Sequence, residues 1–192
     1  HRVADADKDA GRILSLATLA GVVFFGRNVN ADAGFFGVIR GDSAGDHFAI
    51  NHFAHLLTDI TTAINTKGRA RLILSLDDTG EAPWNLYFAQ KLLAQFPELS
   101  IEIWVNQNVT DHTNMYEGEL DRMIGLNGHT GCNVFADLKS FASARRLTVY
   151  AFQNPTYAID PRFLPTAGRK KLIDADAVLW VGANYGETGQ FR

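Results

Sequence analysis

The chain has 192 residues, of which 46% are hydrophobic and 20% are charged, and its formal net charge is -3. This composition is typical of a globular protein with one hydrophobic core, and the slight excess of acid gives no electrostatic basis for binding nucleic acid. The basic clusters Arg145-Arg146 and 169–171 are short, and we expect them to lie in solvent at helix ends.

The sequence also argues against a membrane segment. Its longest apolar stretch, 13–25, contains Ser15, Thr18 and Gly21 and is too short and too mixed for a membrane span. No basic segment precedes it, so we expect no signal peptide. The single cysteine, Cys132, excludes a disulfide within the chain and is consistent with a reducing compartment, so the expected location is cytoplasmic.

The predicted elements change character along the chain. Residues 1–66 are expected to be helical and glycine-rich, with a long helix over 46–66 that Gly68 ends. From residue 67 onward, strands alternate with helices. The predicted strands are 72–76, 101–105, 147–152 and 177–181, and the predicted helices are 83–96, 114–124, 135–144 and 164–173. This alternation predicts a single α/β domain over 1–192, a three-layer Rossmann-like fold with a mainly parallel sheet and helices on both faces.

Polar residues follow each predicted strand, at the edge where open α/β sheets bind their ligands. In chain order they are Asp77, Asp78, Thr79, Gly80 and Glu81; Asn106, Asn108, Asp111 and Asn114; Gln153 and Asn154; and Asn184, Tyr185 and Glu187. Such oxygen ligands suit Mg²⁺, Mn²⁺ or a related divalent ion. Solvated turns are the alternative, because Asp, Asn and Gly are also common turn residues.

Asp77 is the principal candidate among these residues. Asp77 and Asp78 are adjacent acids, which repel each other unless a positive charge neutralises them. The helix that begins near Pro83 has free N–H groups that could receive an anion beside Gly80. The sequence therefore predicts a polar cleft at the end of the first strand.

Two other groups carry less weight as sites. His47, Asn51 and His55 share one helix face, with His52 beside them, but neither an HExxH motif nor a cysteine partner accompanies them. We expect these histidines to be surface or packing residues. Cys132 lies in no recognisable nucleophile motif, and the Arg-Gly-Asp run at 40–42 is interpreted as a glycine turn.

Residues 70–190 resemble the metal-dependent damage-control phosphatases of the DUF89 fold. The run "LSLDDTGE" is similar to the family's Asp-Asn element, with Asp77 in the place of the aspartate and Asp78 in that of the asparagine. The run "NVTDHTN" is similar to a second family segment, with Asp111 matching. The run "DADAVLWVGANYGE" is similar to a third and keeps Gly182 and Asn184-Tyr185. Val181 replaces the family's lysine, and Ala183 stands near where a metal-binding aspartate is expected.

The resemblance implies hydrolysis of a phosphate monoester on a small sugar or metabolite with Mn, Mg, Ni or Co. It places Asp77, Asp78 and Asn184 at the metal and Asp111 at the sugar or leaving group. The substrate-binding residues that we expect beside them are Gly80, Glu81, Asn108, Asn154, Asn184 and Tyr185. Two alternatives stay open: a hydrolase of nucleosides or nucleotides, and a non-catalytic Rossmann-like binding module whose site has decayed.

Overall fold

The computed structural model describes residues 53–76, 79, 82–108, 115–127, 131–153 and 163–180. Helices and strands alternate along these ranges, as the sequence predicts. They are α1 (Phe53–Lys67), β1 (Ala70–Ser75), α2 (Ala82–Gln95), β2 (Leu99–Asn106), α3 (Glu117–Ile124), α4 (Ala136–Ser143), β3 (Leu147–Phe152), α5 (Thr166–Asp174) and β4 (Ala177–Trp180), with a 3-10 turn at Asn133–Phe135.

The four strands form one sheet in the order β3-β2-β1-β4. Every neighbouring pair is parallel, and Ser75 on β1 lies opposite both Trp104 on β2 and Trp180 on β4. The chain therefore adds β2 and β3 on one side of β1 and then returns to add β4 on the other. In sheets of this kind, the point where the order reverses is the usual ligand crevice.

The two faces of the sheet bury different side chains. On one face, Leu72 and Leu74 of β1 and Ile103 of β2 belong to a core cluster that includes buried residues of α1, α2, α3 and α4. On the other face, Ile73 and Trp104 pack with Leu164 and Phe152, and Leu172 of α5 lies against them. Helices therefore cover both faces, and the predicted three-layer α/β architecture is confirmed.

Several element boundaries differ from the prediction. The helix predicted from 114 begins at Glu117, because Tyr116 is still extended and pairs with Asn106 in a parallel bridge. Phe135 lies in the 3-10 turn before α4. Gly68 ends α1 as predicted, with φ +68° and its N–H donated to Ile64 O at 2.8 Å. Residues 46–52 of the predicted long helix lie outside the described residues.

The prediction that the basic clusters are solvated is wrong for Arg146 and Lys171. The half-buried Arg146 donates to Leu99 O at 3.1 Å, to Leu93 O at 2.7 Å and also to Phe96 O. The last carbonyls of a helix have no partner within it, and the Arg146 guanidinium supplies donors at the end of α2. The ammonium of Lys171 pairs with Glu102 on β2.

Candidate functional site

The carboxyl ends of the strands meet at one edge of the sheet because the strands are parallel. At this edge the strands end at Ser75, Asn106, Phe152 and Trp180. The reversal in strand order places the ends of β1 and β4 side by side, with Ser75 opposite Trp180. The segments that continue from these two strands carry the acids at 77–78 and the Asn-Tyr pair at 184–185.

Of the predicted site residues, Asn108 lies in the described part of the chain. It is exposed, two residues beyond the end of β2. The others lie outside the described residues, so their roles stay predictions: Asp77, Asp78, Gly80, Glu81, Asp111, Asn154, Asn184 and Tyr185.

Thr79, which directly follows the acid pair, makes a side-chain contact with the segment after β2. Its hydroxyl donates to the Oε2 of Glu119 at 3.1 Å, and both residues are half-buried. Glu119 lies in the first turn of α3, 40 residues further along the chain. The residue that follows Asp77-Asp78 is therefore tied to the segment that follows β2.

The first turn of α3 is in turn fixed to the end of β2. Asn106 and Tyr116 form the parallel bridge, and the N–H groups of Glu119 and Leu120 donate to Tyr116 O at 3.1 Å each. The ring of Tyr116 lies over Gly118, where an added Cβ would come within 2.8 Å of it. Glu119 is thus held at the carboxyl edge by backbone contacts that do not depend on its own side chain.

Asn106, like Ser75, is a buried polar residue at this edge. It is 4% exposed, and strand alternation places it on the same face as Trp104. Asn108, which the sequence predicts as a substrate ligand, is exposed, and its role stays a prediction. A carboxylate, a hydroxyl and an amide therefore lie among the described residues near the strand ends, and oxygen donors of these types fit a hard divalent cation.

An aromatic layer lies below this edge on the face that α5 covers. The indole N–H of Trp104 donates to Glu102 Oε1 at 2.8 Å, and the other carboxylate oxygen of Glu102 accepts from Lys171. The Lys171 ammonium also lies 4.9 Å from the centre of the Tyr150 ring. These partners satisfy one another, so we assign them to the stability of the fold.

The histidine and cysteine candidates gain no support where the structure describes them. His55 and Cys132 are exposed, and within the described ranges no three His, Cys, Asp or Glu side chains are grouped to hold a metal. His47 and His52 lie outside those ranges. None of the described helices is long and apolar enough to cross a membrane.

Sequence reasoning missed Glu119. The available signal was its carboxylate in the predicted helix that follows the second strand, on the chain between the polar segments after β2 and the next strand. Its contact with Thr79 depends on how β1 and β2 pair, and no local pattern encodes that.

Comparison with known proteins finds a likeness of fold. No protein-family model matches the chain, and no curated protein matches it. Among solved structures, a DUF89 family protein from Pyrococcus horikoshii superposes with a TM-score of 0.52 at 11% identity, over 90% of this chain. The chain spans 56% of the length of that protein. At this identity the likeness shows a shared α/β fold.

Proposed function

We propose that this protein is a metal-dependent hydrolase that acts on a small phosphorylated metabolite or sugar phosphate. The observation that carries the proposal is the parallel pairing of β1 with β4, with Ser75 opposite Trp180. Because of this pairing, the segments that follow β1 and β4 leave the sheet side by side. This is the switch point of the sheet, where open α/β sheets bind their ligands. The fold likeness to a DUF89 protein supports the proposal at the level of the fold.

In this proposal Asp77, Asp78 and Asn184 hold Mn²⁺, Mg²⁺, Ni²⁺ or Co²⁺ through oxygen atoms. A bound ion of this kind neutralises phosphoryl oxygens and orients the attacking group. Asp78 either shares the metal or accepts a proton from the attacking water, and Asp111 positions the sugar or leaving group.

The substrate phosphate is proposed to lie near the start of α2. This helix runs from Ala82 for 14 residues, and the first N–H groups of a helix lack intrahelical acceptors and favour an anion. Gly80 precedes it and would let the backbone approach the phosphate closely. The remaining proposed substrate contacts are Glu81, Asn108, Asn154, Asn184 and Tyr185.

A non-catalytic binding module is the second candidate. Val181 and Ala183 stand where the family that this chain resembles carries a lysine and an aspartate. Without the lysine the site would lose a contact to the phosphate, and without the aspartate it would lose one ligand of the metal, although other oxygen ligands would remain. This candidate expects a bound ion without turnover.

A substrate panel separates the candidates. Purified protein is incubated with sugar phosphates, other phosphate monoesters and nucleosides, with and without Mn²⁺, and with Asp77→Asn as the matched variant. The proposal expects Mn²⁺-dependent release of phosphate that Asp77→Asn loses. Release of base would instead indicate a nucleoside hydrolase. Manganese binding without turnover of any compound would indicate the binding module.

A further inference from the structure

We infer that Glu119 is a positioning residue for the metal-binding turn after β1 and acts through Thr79. This inference rests on the proposed function, because it concerns the same turn. Its geometric basis is the 3.1 Å hydrogen bond from the Thr79 hydroxyl to Glu119 Oε2.

Glu119 is inferred to position Thr79, and not the reverse, because the backbone around Glu119 is anchored. Glu119 belongs to a helix whose first turn is anchored to β2 through Tyr116 and Asn106. Thr79 lies between β1 and α2, next to Asp78 in the chain. The helix turn that carries Glu119 is fixed to β2, so its carboxylate can hold Thr79 in place, and a hydrogen bond to a charged acceptor is stronger than one between neutral groups.

The contact between Thr79 and Glu119 matters because Asp77 and Asp78 are adjacent in the chain. Successive residues of an extended chain point to opposite sides, so Asp77 and Asp78 reach one ion only if the chain turns there. A turn held in place before the ion arrives loses less conformational entropy on binding. Removing the contact should therefore weaken metal binding even though neither Thr79 nor Glu119 is proposed as a ligand.

The test compares Mn²⁺ dissociation constants, measured by the electron paramagnetic resonance signal of free Mn²⁺, for the wild type and a set of variants. Thr79→Val removes the hydroxyl, Thr79→Ser keeps it, and Glu119→Ala removes the acceptor. The matched control is Glu117→Gln, since Glu117 is an exposed carboxylate in the same first turn of α3. Melting temperatures without metal show whether each variant is folded.

We expect Thr79→Val and Glu119→Ala each to raise the Kd about tenfold, the scale of a lost hydrogen bond to a charged group. The double variant should be no weaker than either single variant, because both remove the same contact. The Kd of Thr79→Ser should lie within about threefold of the wild-type Kd, because serine keeps the hydroxyl. Glu117→Gln should bind like the wild type.

Three results would overturn the inference. Wild-type affinity in both Thr79→Val and Glu119→Ala, with only a lowered melting temperature, would make the contact purely structural. A much larger loss in Glu119→Ala than in Thr79→Val would make Glu119 a direct ligand. A wild type that binds no Mn²⁺ would overturn the proposed function together with the inference. If Glu119→Ala does not fold, the comparison of Thr79→Val with Thr79→Ser tests the inference by itself.

Discussion

The indole rings of Trp104 and Trp180 meet edge to face across Ser75, with their centroids 6.3 Å apart and their planes at 87°. Trp104 lies on β2 and Trp180 on β4, and Ser75 occupies the same row on the strand between them. A small side chain at this central position leaves room for the two rings to touch above β1. Ser75 is itself 4% exposed, so a larger group there has no route to solvent.

Ser75→Leu should therefore destabilise the protein by about 1–3 kcal/mol, because overpacking would force the two indole rings apart. Urea unfolding followed by tryptophan fluorescence measures the change in the free energy of unfolding. Ser75→Ala is the matched control and should change it by less than about 1 kcal/mol, since it adds no volume. If Ser75→Leu is as stable as the wild type, the packing of the two indole rings does not require a small side chain at position 75.

Asp176 should contribute acid-dependent stability. Burial alone would raise the pKa of Asp176, but hydrogen bonds from the Lys67 ammonium and the Arg71 N–H, with the positive charges of both residues, lower it below 3.8. The Arg71 N–H lies 2.8 Å from Asp176 Oδ2. Because the folded-state pKa is depressed, the stabilisation is present above the unfolded pKa of about 4 and is lost as the pH falls through the folded pKa.

Asp176→Ala should lower the free energy of unfolding at pH 7 by about 1–3 kcal/mol, since it leaves the Arg71 N–H without its acceptor. The difference from the wild type should shrink below about pH 4, as the wild-type carboxylate is protonated. Lys67→Met is the control and should cost less than about 1 kcal/mol, because the Lys67 side chain is 62% exposed. If the free energies of unfolding of the wild type and Asp176→Ala differ by the same amount from pH 7 to pH 2, the Asp176 carboxylate is not the source of the acid-dependent stability.

Arg146 should be far more sensitive to substitution than its neighbour Arg145. The Arg146 guanidinium donates to three carbonyls, whereas Arg145 is exposed. A lysine has no planar fork to reach these acceptors together, so Arg146→Lys should cost about 1–3 kcal/mol. Arg145→Lys should stay within about 0.5 kcal/mol of the wild type. Thermal unfolding measures both, and equal melting temperatures would refute the capping role.

Glu102 should be required for its acceptor oxygens more than for its charge. Glu102→Leu would leave the fully buried Trp104 with an unpaired indole N–H, at a cost of about 1–3 kcal/mol. Glu102→Gln keeps a carbonyl oxygen for that N–H and should recover part of the loss. Denaturant unfolding compares the two variants. If glutamine destabilises the protein as much as leucine, the ion pair with Lys171 matters more than the indole contact.

The sequence could predict the sheet because its strands are short apolar runs. Leu72 and Leu74 face one core and Ile73 faces the other, and burial on both faces is what a continuous run such as 72–76 indicates. The alternation of strands and helices then predicted parallel pairing. The ends of elements were less predictable, because they depend on distant partners such as Asn106 for Tyr116.

The contacts that define the edge could not be predicted in the same way. Thr79 and Glu119 are 40 residues apart, and Glu102 and Lys171 are 69 apart, so each pair meets only through the tertiary fold. The basic run at 169–171 is typical of a solvated helix end, and nothing local shows that one ammonium reaches a carboxylate on β2. The acid pair Asp77-Asp78 was conspicuous in the sequence, and its role as a metal site stays a prediction.

The metal site proposed at Asp77 is tested most directly in crystals grown with Mn²⁺, where anomalous scattering locates the bound ion. We expect a peak at the carboxyl end of β1, within coordination distance of the Asp77 carboxylate and beside the segment that follows β4. Crystals of Asp77→Asn grown in the same way should lack this peak. A peak at His47 and His55 instead, or no peak at the end of β1 at saturating Mn²⁺, would contradict the claim.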